Sequence, residues 1–156
     1  MSGSFTPPTL AGFTAWIYSD MGISTTSLPT TSPAIGYAYN VALAIVGQLW
    51  SCVNPLIYTL MVYNLGGDNL INFAPDSLLG TPPDKFFSTY RAANNITDFC
   101  AGVVNSAGDQ GTSGSLTVGK GLQNLTLSNL QNLKTPWGRT YLAFAQRSGM
   151  NPWGVS

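Results

Sequence analysis

Ser32-Pro33-Ala34-Ile35-Gly36-Tyr37-Ala38-Tyr39-Asn40-Val41-Ala42-Leu43-Ala44-Ile45-Val46-Gly47-Gln48-Leu49-Trp50 decides the fold class. A serine before a proline is a helix start. The hydroxyl can cap the first turn, and the missing proline N–H costs nothing at the first helical position. The run that follows is apolar on nearly every side, so it predicts a helix to about Trp50 at the centre of the core. The same signal recurs twice. Asn54-Pro55 opens a helix to about Leu65, which either breaks at Gly66-Gly67 or continues through Leu70–Phe73. Thr135-Pro136 opens a last helix to about Arg147, with Trp137, Tyr141, Phe144 and Ala145 on one face. Trp137 reads as a core residue of that helix.

Working outward, Thr9 caps a first helix, Leu10–Met21, and Gly22 ends it. Its Phe13, Trp16, Ile17 and Met21 share one face. Short helices are expected at Asp84–Ala93, at Asp98–Val104, and from Thr126 or Ser128 to Leu133. Ile23–Thr31 and Pro75–Pro83 are turn-rich connections. Residues 105–121 change character: glycines stand at 108, 111, 114, 119 and 121, and only Ser115–Val118 alternates like a strand. No GxxxxGK[ST] is present, and no GxGxxG in strand–helix context, so this is not a phosphate cradle. The fold class is therefore mainly α: a small helical bundle with a long glycine-rich loop or β-hairpin before the C-terminal helix. Residues 1–147 form one domain and 148–156 a C-terminal tail.

Composition narrows the function. The 156 residues are 44% apolar and only 8% charged, against roughly 25% charged in an ordinary domain. Disorder by charge is excluded, since disordered chains are apolar-poor. A surface this short of charge suggests a covering other than water: a partner, a second copy or lipid. There is no His, which removes Ser-His-Asp and Cys-His catalysis and most zinc and haem sites. There is no Glu, and the six Asp are scattered. No acid–base pair is visible, so the expectation is a protein that is not an enzyme, with no catalytic residues, no metal and no cofactor. Cys52 and Cys100 have neither CxxC nor metal spacing and read as half-buried structural thiols.

No charged residue falls between Met21 and Gly67, so a membrane hairpin at 34–65 has to be weighed. Asn40, Gln48, Ser51 and Asn54 interrupt the apolar run, Pro33 and Pro55 cut it, and no Lys or Arg flanks it. Met1–Thr9 has no basic residue and is not a secretory signal. The expectation is no membrane. Charge is divided along the chain. Residues 1–84 hold Asp20, Asp68, Asp76 and Asp84 and no base; residues 85–156 hold six bases against Asp98 and Asp109. The halves are thus −4 and +4, either by scatter or so that copies pair head to side. In the second case added salt would loosen the assembly.

The order of helices, the loop carrying Gly111-Thr112-Ser113, the strand Ser115-Leu116-Thr117-Val118, and a closing helix opened by Thr135-Pro136-Trp137-Gly138-Arg139 and Tyr141 resemble the head–tail connector proteins of tailed bacteriophages, also called adaptor or head-completion proteins. The resemblance covers most of the chain in layout and 101–147 in motif. It implies a structural virion protein: a homo-oligomeric ring, commonly twelve-fold, at the head–tail interface, assembled in the host cytoplasm. Such a ring docks under the portal protein, extends and seals the DNA channel, joins capsid to tail, and offers a platform to the next neck or tail protein. DNA passes through it without sequence-specific binding.

On that reading Thr112, Ser113, Ser115, Leu116, Thr117 and Val118 are an inter-subunit loop whose edge pairs with a neighbour, the alternative being a surface excursion. Lys120, Lys134, Arg139 and Arg147 line the channel or an interface, the alternative being a solvated face. A sparse set of bases suits DNA that must slide, because each phosphate contact adds salt-sensitive affinity. The tail carries Pro152, Trp153 and Val155, with no charged side chain. Burying one Trp removes roughly 150–250 Å² from water, so the tail is expected to anchor on the portal or a neighbouring subunit, or else to fold back on its own domain. Two other readings stay open: another neck or tail-tube virion protein, and a small membrane protein with its helical hairpin at 34–65.

Overall fold

The computed structural model describes residues 7–79, 85–97, 106–109, 112–115 and 127–147. They are mainly helical. In chain order the elements are α1 (Leu10–Ser19), α2 (Pro33–Ile45), α3 (Leu49–Val53), α4 (Pro55–Phe73), a 3-10 turn (Asp76–Leu78), α5 (Phe86–Ala93), β1 (Ser106–Asp109), β2 (Thr112–Ser115), α6 (Leu127–Asn132) and α7 (Pro136–Arg147). β1 and β2 pair antiparallel, with Ser106 opposite Ser115 and Asp109 opposite Thr112.

α4 is the axis of the bundle. Asn54 caps it, its side-chain oxygen accepting from the Ile57 N–H at 3.2 Å, and Pro55 takes the first position. The helix then runs 19 residues, straight through Gly66-Gly67. These glycines let α1 come close. A β-carbon on Gly66 would stand 2.8 Å from the Phe13 ring, and one on Gly67 would stand 2.9 Å from the Trp16 indole. Phe13 is fully buried and packs against Trp16, Tyr39 and Tyr63 at ring-centre distances of 6.1, 5.8 and 5.7 Å. One aromatic cluster therefore ties α1, α2 and α4 together.

The caps fill in the rest. Thr9 Oγ1 accepts from the Gly12 N–H at 3.0 Å and starts α1. That helix stops at Ser19, short of Met21, and Gly22 turns the chain at φ +67°, a conformation that favours glycine. The α5 terminus is capped from a distance: Asp76 Oδ1 accepts from the Phe87 N–H (2.7 Å) and the Ser88 N–H (3.2 Å). Arg91 returns the contact, donating to the carbonyls of Ile71, Asn72 and Ala74. It thereby satisfies acceptors left open at the end of α4.

Three sequence expectations about α2 need correction. α2 ends at Ile45, not Trp50: Val46 is extended, with ψ 115°, and α3 is a separate short helix. Nor is α2 the most buried helix. Tyr37 and Ile45 are 69% and 55% exposed, whereas α4 packs against α1, α2, α3, α5, α6 and α7. An all-round apolar pattern reports the side chains a helix carries, not whether each face has found a partner. Ser32 also does not cap α2; its hydroxyl donates to the Leu78 carbonyl at 2.8 Å and pins the 3-10 turn instead. The short helix expected at Asp98–Val104 lies outside the described residues.

Two glycine substitutions should separate packing from propensity. Gly36→Ala, with nothing within 4 Å of the new β-carbon, should stabilise the fold by up to about 1 kcal/mol through helix propensity. Gly66→Ala meets a ring locked on three sides and should destabilise it by about 1–2 kcal/mol net. Urea denaturation of both variants checks the sign of each.

Candidate functional site

Between α2 and the C-terminal half of α4 lies an open groove of about 530 Å³. Tyr37, Val41 and Ile45 line it from α2, Leu70 and Phe73 from α4, and Leu78 closes one end. The α2 residues stand at i, i+4 and i+8, one stripe of the helix, while Ile35, Tyr39 and Ala42 turn into the core. No charged residue lines the groove. Phe73 at its rim is 58% exposed, alongside the exposed Tyr37 and Ile45. Exposed apolar side chains gathered at a groove mark a binding surface, one that works by shape and apolar burial.

The sequence-derived site residues fall in several places. Arg139 and Arg147 are brought together on the exposed face of α7, beside a shallow cleft of about 330 Å³ lined also by Pro136, Thr140 and Phe144. The Arg139 guanidinium donates to the Leu133 carbonyl at 3.1 Å. Lys134 stands apart from that cleft, half-buried in the turn between α6 and α7. Trp137 and Phe144 pack on the core from α7, where Tyr141 and Ala145 are buried. Thr112, Ser113 and Ser115 belong to β2. Leu116, Thr117, Val118, Lys120, Pro152, Trp153 and Val155 lie outside the described residues, as does Cys100. Cys52, on α3, is exposed, not half-buried.

The residue that sequence reading missed is Asp68, fully buried in α4. Its Oδ1 accepts from the Thr135 hydroxyl and, at 2.8 Å, from Asn72 Nδ2. Thr135 Oγ1 in turn accepts from the Gly138 N–H at 3.0 Å, the capping bond that starts α7. Gly138 is held against the same point: a β-carbon there would sit on the Asn132 carbonyl oxygen and 2.5 Å from Asp68 Oδ1. Burial raises the Asp68 carboxyl from its usual 3.8 to about 7, although the Thr135 and Asn72 hydrogen bonds and the Lys134 charge pull the other way. The one signal in the sequence was its isolation, a single acid in the middle of an otherwise uncharged helix.

No family model matches the chain, and no curated protein or solved structure is similar to it. The functional argument therefore rests on these surfaces. Among the described residues no three His, Cys, Asp or Glu side chains gather where a metal ion could bind, and no helix is long and apolar enough to cross a membrane. The 34–65 segment holds α2, α3 and the first part of α4, which runs on past the buried Asp68 to Phe73. The charge division of the chain is also reduced in reach. Asp68 is sealed inside, Asp76 caps α5, and Arg91 serves the α4 carbonyls.

Gly138→Ala should be among the most damaging single-methyl changes in this chain. The clash is with backbone and with a buried carboxyl, neither of which can swing aside. A loss of about 3 kcal/mol is expected, the upper end for overpacking, readable as a lowered midpoint in urea with an unchanged slope.

Proposed function

We propose that the chain is a structural assembly subunit of the head–tail connector class. It forms a ring below a portal, extends the DNA channel, joins capsid to tail, and acts by binding rather than catalysis. The observation that carries this reading is the uncharged groove rimmed by Tyr37, Ile45 and Phe73, in a chain with 8% charged residues. A surface of this kind suits burial against other protein better than contact with water. The layout supports it too: early helices, a glycine-rich segment, then a closing helix with a Thr-Pro start, in the order the connector proteins use.

On this reading the loop or hairpin 105–121 offers its edge to a neighbour, and the tail 148–156 seats Trp153 on the portal or an adjacent copy. Arg139 and Arg147 face the channel or a neighbour's acids from a single cleft. With Asp68 and Asp76 engaged inside the subunit, few acids remain for pairing between copies. The apolar groove, rather than charge, holds the assembly.

Mass photometry and negative-stain electron microscopy of the purified chain test this. A closed ring that persists from low to molar salt is expected. Tyr37→Glu with Phe73→Glu should weaken assembly about tenfold or more, equivalent to about 1.4 kcal/mol. The melting temperature should stay within a few degrees, because both side chains are exposed. A chain that stays monomeric at every concentration, or a double variant that assembles as well as the parent, would overturn the reading.

A further inference from the structure

We infer that the junction between α4 and the α6–α7 hairpin is a proton-operated latch: neutral Asp68 holds it closed, and ionised Asp68 loosens it. The inference does not depend on the connector reading. It rests on an uneven hydrogen-bond arrangement. Asp68 Oδ1 has two donors, the Thr135 hydroxyl and Asn72 Nδ2. Oδ2 is buried with no partner. One turn along α4, Asn72 Oδ1 is also buried and also lacks a partner. Both are acceptors, and the buried amide donor next in sequence, Asn69 Nδ2, is bonded to neither, so the pair is short of one hydrogen. A proton on Asp68 Oδ2 supplies it and gives Asn72 Oδ1 a donor to accept from. The ionised form leaves both oxygens without a donor and places a full charge in the buried interior.

The charged and titratable groups around the site do not compensate. Lys134, in the α6–α7 turn, favours the ionised form by its charge alone, leaving Oδ2 without a hydrogen bond. On α7, Arg139 is directed to the Leu133 carbonyl. The Tyr141 phenol on the same helix is buried, which raises its pKa and keeps it neutral. On α5, Arg91 is held by the carbonyls at the end of α4. The helices α2 and α3 carry no charged residue, and Asp20 lies at the exposed end of α1.

The site is wired to movement because Thr135 does two jobs. Its hydroxyl donates to Asp68 and accepts from the Gly138 N–H. The Thr135 bond survives ionisation, so the strain of a buried charge is relieved only by drawing Asp68 and Thr135 towards water together, which disturbs the first turn of α7, the helix that carries the Arg139–Arg147 cleft. The raised carboxyl of Asp68 places the transition near neutral pH. The sign follows from proton counting. The folded chain holds this proton more tightly than the unfolded chain, so the contribution of Asp68 to stability is fully present in acid, falls as pH rises from about 4 to about 7, and then levels off.

Hydrogen exchange of the full chain, corrected for intrinsic rates, tests the latch. Protection of the α7 amides relative to α1 should fall about tenfold between about pH 5.5 and about pH 8.5. Asp68→Asn keeps an acceptor for Thr135 and adds a donor facing Asn72, so it mimics the neutral acid. It should hold α7 at the acid level of protection across the range. A flat parent profile, or a slope that survives in Asp68→Asn, overturns the latch. Carboxyl ¹³C titration of the parent chain gives a test that needs no variant. One aspartate should titrate near neutrality; titration of all six below about pH 5 overturns the inference.

Discussion

Three consecutive residues, Gly66-Gly67-Asp68, set how close everything else can come to α4. The glycines remove the β-carbons that would hold Phe13 and Trp16 away, so α1 packs against the α4 backbone. Asp68 then binds the start of α7 through Thr135. Helices joined by ordinary side-chain layers stand about 8–10 Å apart. This bundle instead uses a close apolar approach at one point and a polar clamp at the next residue. The two are unlike in kind. The first depends on shape alone, whereas the second depends on whether a carboxyl carries its proton.

That difference explains how charge is used in the molecule. With so few ionisable groups, three of the described ones are given to helix ends. Asp76 caps α5, Arg91 closes α4, and Arg139 reaches the Leu133 carbonyl in the α6–α7 turn. Asp76 and Arg91, engaged with backbone groups, are not available to meet a partner. The consequence is visible on α2, where Tyr37 and Ile45 face outward at the edge of an apolar groove. Low charge, internal capping and an exposed apolar rim are one economy seen at three scales, and it is what supports an assembly role.

Much of the helix pattern was legible because its signals are local. Thr9, Asn54 and Thr135 cap helices by bonds to residues three positions on, which spacing alone can reveal. The prolines at 33, 55 and 136 each take the first helical position. Ser32 broke the rule: its hydroxyl donates to the Leu78 carbonyl, 46 residues away, and accepts no capping N–H. Gly66-Gly67 was ambiguous for the same reason: a glycine pair weakens a helix by propensity, and only the neighbouring rings decide that it continues. The groove was hidden inside α2, whose apolar residues look alike in sequence until some meet the core and others meet none.

The sequence by itself determined a mainly helical chain, its starting points, its lack of histidine and glutamate, and the poverty of charge that directs attention to contact surfaces. Each of these is a property of single residues or short spacings. Tertiary structure alone decided that α4 rather than α2 is the axis, that Tyr37 and Phe73 rim a groove, and that Asp68 sits sealed against Thr135. Those depend on which faces meet, and the partners lie far apart in the chain: Asp68 and Thr135 are separated by 67 residues. Burial changes the chemistry of a carboxyl only after the fold has removed its water, so no local reading of that aspartate could distinguish it from one at the surface.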